Sequence, residues 1–202
     1  MGKSIIKKAL LMTSAFSMAL LTVTGCGQSG KEVTTITIDK DGHVSNVIYE
    51  QFDKEYYDLQ ELSDMAALEV SEYNSEYISE KIAIDKVETI DDGSFAKVSM
   101  KYESAADFSN FNDEDLFYGT IEEAKAAGYR ISADLIDNNG VKIESSFAEE
   151  HPDRHIIITN DSSNIITPFN IEYTTKGVTL LGKKEAMLSN ATADTIMLLL
   201  SK

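Results

Sequence analysis

Two histidines four residues apart are the first side chains in this sequence with the means to do chemistry. They are His151 and His155, with Glu149, Glu150 and Asp153 around them. On a helix such a pair can chelate a transition metal. Pro152 lies between them, however, and His155 opens an apolar run. The rings are therefore expected to stand apart, and no His-Glu-x-x-His pattern is present. Asp39-Lys40-Asp41-Gly42 begins like a calcium loop. Its glycine stands fourth rather than sixth and no acid follows at the fifth place, so it reads as a hairpin turn. Asp91-Asp92-Gly93 and Asp113-Glu114-Asp115 offer oxygens without a ligand register. Calcium held between loops stays open, because a hard cation needs only convergent oxygens.

Glu69 is the carboxylate that the pattern singles out. It falls at the edge of an apolar helical stripe, between Ala66 and Tyr73. If the stripe is buried, Glu69 is partly desolvated, its pKa should rise and it needs a partner. The alternative is a rim glutamate that reaches solvent or pairs with a lysine. For nucleophilic catalysis there is no Gly-x-Ser-x-Gly and no Ser-x-x-Lys with supporting motifs. There is no glycine-rich phosphate loop, and no cofactor is expected. Tyr56, Tyr57, Tyr73, Tyr77, Phe108 and Phe111 are candidates for a sugar-stacking patch, although their spacing favours core packing.

The chain begins with a basic head, Lys3, Lys7 and Lys8, followed by a mostly apolar run over 9–21. Thr13, Ser14 and Ser17 interrupt that run, whereas a spanning helix needs about 20 predominantly apolar residues. This is the layout of an export signal. It closes on Val23-Thr24-Gly25-Cys26, and Cys26 is the only cysteine. These four residues resemble the lipobox of bacterial lipoprotein precursors: an aliphatic residue, two small residues and a cysteine. Thr24 is more polar than the pattern usually has. The resemblance implies cleavage before Cys26 and a diacylglyceryl thioether on its sulfur. It also implies a protein held on the outer face of the cytoplasmic membrane. Two acyl chains anchor stably where one does not. The alternative is a plain secretory signal in which Cys26 is incidental.

Removing residues 1–25 leaves 177 residues. The lost segment holds three lysines and no acid, so the formal charge goes from −16 to −19. Such a chain repels nucleic acid and suits a cationic protein, a basic peptide or a divalent cation. An acidic surface that only maintains solubility is the alternative. With Cys26 lipidated no thiol remains for a disulfide or a zinc-thiolate site, and the fold must rest on its hydrophobic core. Gly27-Gln28-Ser29-Gly30 forms a tether of at most ~14 Å, at about 3.5 Å per residue, which keeps the domain near the membrane.

Alternating residues predict strands over 33–39 and 43–51, joined by the turn at Gly42. Asp58-x-x-Glu61 resembles a capping box, with Tyr57 and Leu62 placed as a staple, and opens a helix. Its stripe is Leu59, Leu62, Ala66, Val70, Tyr73 and Tyr77. Strands at 82–90 and 96–102 flank Asp91-Asp92-Gly93, and 107–112 is a turn or short helix. A short extended piece is expected at 116–119. Thr120-x-x-Glu123 opens a second, short helix that ends at Gly128. Strands are expected at 131–136 and 141–145 around Asp137-Asn138-Asn139-Gly140, then at 155–159, 165–167, 169–173, 178–181 and 195–200, with a short buried helix as the alternative for the last.

The expected fold is α+β. It comprises an antiparallel sheet built from hairpins, one long helix over 58–74 packed on a face, a short helix over 121–127 and a strand-rich C-terminal third. Residues 1–25 form the signal and 26–31 the lipidated cysteine and tether. Residues 32–202 form a single globular domain, and any division into two lobes falls near 137–153. The hairpin–helix–hairpin layout, with Glu69-Val70 near the end of the helix, also looks like small uncharacterised lipoproteins of Gram-positive bacteria. That likeness carries no activity and no functional residues. The expected function is a membrane-tethered, non-enzymatic binding module with an acidic surface. The alternatives are a structural envelope protein without a small ligand, and a wall-acting hydrolase that uses an acidic pair.

Overall fold

The computed structural model describes residues 33–202. The expected signal over 1–25, Cys26 and the expected tether lie outside the described residues. From Val33 onward the chain forms eleven strands, four α-helices and a 3-10 turn in an α+β arrangement. Among the described residues, no helix is long and apolar enough to cross a membrane.

The first half follows its local sequence closely. Strand β1 (Thr35–Ile38) alternates Thr and Ile, which buries Ile36 and Ile38 and turns the threonines aside. Gly42, at φ +88°, closes the turn into β2 (Val44–Gln51). Helix α1 (Leu59–Ser75) starts where the Asp58 carboxylate accepts the Glu61 N–H at 2.9 Å, and it buries Leu62, Ala66 and Val70. Tyr77 falls beyond its last turn and is exposed, so the buried stripe is shorter than the pattern suggested. Strands β3 (Ile82–Ile90) and β4 (Phe95–Tyr102) form a hairpin. Its turn runs through Asp91, Asp92 and Gly93, all at positive φ. Ala96, Val98, Met100 and Tyr102 of β4 all point into the core.

Helix α2 (Ala105–Asn112) is capped by Ser104 and ends at Asp113 in the left-handed region. Strand β5 (Leu116–Thr120) leads directly into α3 (Ile121–Ala126), where Thr120 and Glu123 form a complete capping box. The short α4 (Phe147–Glu150), which the sequence pattern did not signal, precedes β6 (His155–Thr159). The remaining strands are β7 (Asn164–Ile166), β8 (Ile171–Thr174), β9 (Thr179–Gly182), β10 (Glu185–Met187) and β11 (Ile196–Leu200).

The strands form two sheets rather than one. The larger has the order β3-β4-β2-β1-β7-β10-β9 and the smaller β5-β6-β11-β8. Pairing is antiparallel except between β1 and β7, which run parallel with Ile36 opposite Ile165. The expected assembly purely from hairpins is corrected by this pair, which joins segments about 130 positions apart in sequence. A parallel pair cannot be closed by a tight turn and needs a long crossover.

A second correction concerns 131–145. The Asp137 turn forms, with its carboxylate accepting the N–H groups of Asn139 (2.9 Å) and Val141 (2.8 Å). The flanking strands do not. Only a single bridge joins Ile136 to Lys142, and Ile136 also bridges to Thr174 of β8. Leu135 and Ile143 are buried, but Ala133, Asp134, Lys142 and Glu144 are exposed, so too little apolar surface is gained to hold a ladder.

The small sheet is buried on both faces. Ile157 of β6 with Ile196, Leu198 and Leu200 of β11 belong to one core, shared with β1, β2, β4 and α1. Ile156 and Ile158 with Met197 and Leu199 belong to a second core, closed by Ile121, Ala124, Leu135 and Ile143. Because both cores rest on the same two strands, denaturant unfolding is expected to show one transition, coincident by far-ultraviolet circular dichroism and tyrosine fluorescence. Ile36→Ala, at a side chain 1% exposed between β2 and β7, is expected to lower stability by about 2–5 kcal/mol. Two separated transitions would mean that the cores fold independently.

Candidate binding groove at the beta5 edge

A groove of about 670 Å³ runs between the β1–β2 turn, the start of α2, β5 and α3. Each wall has a local cause. Gly42 brings the turn down onto Tyr118, and a Cβ there would lie 3.7 Å from the Tyr118 ring. Ser104 caps α2 by accepting the Asp107 N–H at 3.1 Å, and its hydroxyl donates to the Asp107 carboxylate at 2.6 Å. Asp107 also accepts from the Tyr73 hydroxyl at 3.2 Å, which ties α1 to this end of the groove. On the far side, Glu123 of the capping box accepts the Thr120 N–H at 2.7 Å and the Thr120 hydroxyl at 3.1 Å. These bonds hold its carboxyl below the usual range.

Four carboxylates line this groove: Asp41, Glu103, Asp115 and Glu123. Phe117, Tyr118 and Tyr129 supply aromatic surface among them. Lys40 and His155 are its basic members. The Tyr118 and His155 rings stack with centroids 5.3 Å apart, and His155 Nδ1 lies 2.9 Å from the Lys202 carbonyl. Burial pushes the Tyr118 phenol up, and the charges of Asp39 and Asp41 add to the effect. Its hydroxyl is buried with no hydrogen-bond partner among the described residues. The Gly119 Cα carries no side chain that would meet the Glu123 carboxylate and Phe117 ring, which lie 2.8 and 2.9 Å from where a Cβ would be.

The rim at the β1–β2 turn carries a second feature. One ligand atom from each of Asp39, Asp41 and His43 lies within 4.8 Å of the others, and all three residues are exposed. The Asp39 carboxylate accepts the N–H groups of Asp41 (2.9 Å) and His43 (3.0 Å) and faces His43 Nδ1 at 3.1 Å. Partial burial pushes the Asp39 carboxyl up, but the His43 and Asp41 hydrogen bonds outweigh it and hold the group below its ordinary value. The Asp39 hydrogen bond and charge raise the His43 imidazole, with Glu103 and Asp41 adding to them.

Of the residues singled out from sequence, Asp41, Asp115, Glu123 and His155 come to the groove, and the rest are dispersed. His151 is exposed beyond α4, with its ring 4.4 Å from Phe147, whereas His155 opens β6 against Tyr118. Asp91 and Asp92 form the β3–β4 turn. Glu69 is half-buried on α1 and outside this groove, and its charge helps to raise the buried Tyr102 hydroxyl after burial itself. Of the aromatics, Phe108 is fully buried, Tyr73 packs edge-on to Phe111, and Tyr57 stacks on Phe52 while Tyr56 stays exposed. His43, Glu103 and Tyr118 carried no sequence signal, because turns and strands far apart in the chain bring them together. Comparison with protein-family models, with curated proteins and with solved structures finds no match to this chain.

The His43–Asp39 pair gives a sign that can be measured. A raised His43 pKa means that the contact stabilises the fold fully below the unfolded histidine value and is lost as pH rises through the folded one. A lowered Asp39 pKa means that its share is present above the unfolded aspartate value and is lost as pH falls through the folded one. The pair is therefore expected to persist between the two. An NMR titration should give His43 a midpoint above that of an ordinary histidine, and Asp39→Asn should bring it down. An unchanged midpoint in Asp39→Asn would show that the contact is not formed in solution.

Proposed function

We propose that this protein is a membrane-tethered, extracytoplasmic binding module whose acidic groove takes a cationic peptide or a basic protein segment. The observation that carries the reading is the convergence of Asp41, Glu103, Asp115 and Glu123 around Phe117, Tyr118 and Tyr129 in one groove. Carboxylates attract lysine and arginine at long range. Aromatic faces then bind the same cations and their methylene stems at short range. The net charge of −16 adds a field of the same sign. The tether rests on Cys26 and the lipobox-like residues before it, which support a groove on the outer side of the cytoplasmic membrane.

The Asp39, Asp41 and His43 set supports a second reading, a divalent cation at the turn. An ion there must displace the proton from His43, so its affinity would rise with pH. A structural envelope protein and an acid-pair hydrolase remain the alternatives from the sequence.

The test is calorimetric titration of the protein with an acetylated, amidated hexapeptide of alternating lysine and valine. Saturable binding that weakens from low to high salt is expected, because exposed charges are screened. Asp41→Asn combined with Glu103→Gln should weaken it about two- to thirtyfold at low salt, since exposed ion pairs are worth ~0.2–1 kcal/mol each. No binding, or binding indifferent to salt and to the double variant, would sink the reading. The anchor is tested separately: Cys26→Ala should move the protein from the membrane fraction to the soluble extracytoplasmic fraction. Firm membrane attachment in that variant would refute the lipid anchor.

A further inference from the structure

Strand β5 is the free edge of the small sheet and also one wall of the groove. The hydrogen bonds at its ends fix which main-chain groups face outward. The Asp115 carbonyl accepts from Asn160 N–H, and Ile121 N–H donates to the Arg154 carbonyl, both on the β6 side. Main-chain direction alternates along a strand paired on one side. Phe117 and Gly119 therefore turn their N–H and C=O toward β6, while Leu116, Tyr118 and Thr120 turn theirs away. Two of those three are engaged by side chains. The Ser109 hydroxyl accepts the Leu116 N–H at 2.8 Å and donates to its carbonyl at 3.0 Å. Glu123 accepts the Thr120 N–H. Between them the Tyr118 N–H and C=O face the groove, and among the described residues no third strand lies on that side.

We propose that the Tyr118 main chain is a clamp for one residue of an extended cationic peptide, whose lysine or arginine side chains reach Asp41, Glu103 and Asp115. The proposal rests on the cationic-partner reading above and deepens it. The peptide donates an N–H to the Tyr118 carbonyl and accepts the Tyr118 N–H, as in strand addition to a sheet edge. Charge selects the occupant: four carboxylates against one lysine and one histidine line the groove. Pairing is confined to one residue because Ser109 closes the edge on one side and α3 closes it on the other.

Two modified forms of the lysine–valine hexapeptide test this. One carries N-methyl groups on every lysine amide, the other on every valine amide. In an extended peptide those two sets of N–H groups face opposite sides. One methylated peptide should bind about three- to tenfold more weakly than the parent, the effect of a lost hydrogen bond, and the other should bind like the parent. Tyr118→Pro removes the outward N–H at an edge position where proline is tolerated, and should weaken the parent peptide by a similar factor. Tyr118→Phe keeps the main chain and should retain the methylation asymmetry. If Tyr118→Pro does not fold, the two peptides on the wild-type protein still decide. Salt-sensitive binding that is equal for both methylated peptides overturns the clamp and leaves the acidic groove standing. No binding of the parent overturns the groove reading itself. Self-association of the protein that the parent peptide displaces would make a second copy the occupant and overturn the cationic peptide.

Discussion

The constraint on which the rest depends is the burial of β6 and β11 on both faces. Ile156, Ile157 and Ile158 pair with Leu199, Leu198 and Met197, and every one of these side chains is buried. Alternate residues of each strand go to opposite cores. A strand buried on one face must alternate with polar residues, while one buried on both reads as a continuous apolar run. The His155–Thr159 and Ile196–Leu200 runs are of the second kind. They hold the large sheet with α1 on one side and α3 with the loop around Leu135 on the other. Arg154 closes this layer at its end, with its guanidinium bound to the Leu200 carbonyl and to Glu172.

This arrangement explains what the sequence could and could not say. The β1–β2 and β3–β4 hairpins and the helix caps at Asp58 and Thr120 were legible, because each is decided within a dozen residues by alternation, turn chemistry and capping. The apolar run at 155–159 was legible as a strand, and that at 195–200 as a buried run that pattern alone does not separate from a short helix. Their two-sided burial was not, since an apolar run does not say how many neighbours it has. The β1–β7 pairing was beyond local pattern too. Asn164–Ile166 is three residues long and takes its place only once β1 and β10 flank it. Around 137–140 the turn was strong and the flanks were weak, and the turn alone did not create strands.

The groove was less legible than the fold. Its residues come from the turn after β1, the start of α2, β5, α3 and the first residue of β6. Glu123 belongs to the capping box that opens α3, but no motif spacing links it to Asp41, Glu103 or Asp115. In a chain with 34 acids the sequence gives no means to choose those that converge. Glu69 stood out because it interrupts a helical stripe, which is a statement about packing at one helix edge. It said nothing about which carboxylates the tertiary fold would gather.

A free strand edge is a hazard in any sheet, since unpaired N–H and C=O groups invite another chain. Strand β5 is managed in three ways. It is only five residues long, side chains occupy the outward groups at both its ends, and acids surround what remains. Shortness and capping limit pairing to one residue, too little for a second sheet to grow. The acids repel further copies of this chain, which carry the same net charge. The devices that guard the edge against self-association thus leave one kind of visitor favoured, a short extended segment of opposite charge. Protection and selectivity follow from the same side chains. A substitution that neutralises the groove therefore loosens both at once, weakening cationic ligands and removing the repulsion that keeps like edges apart.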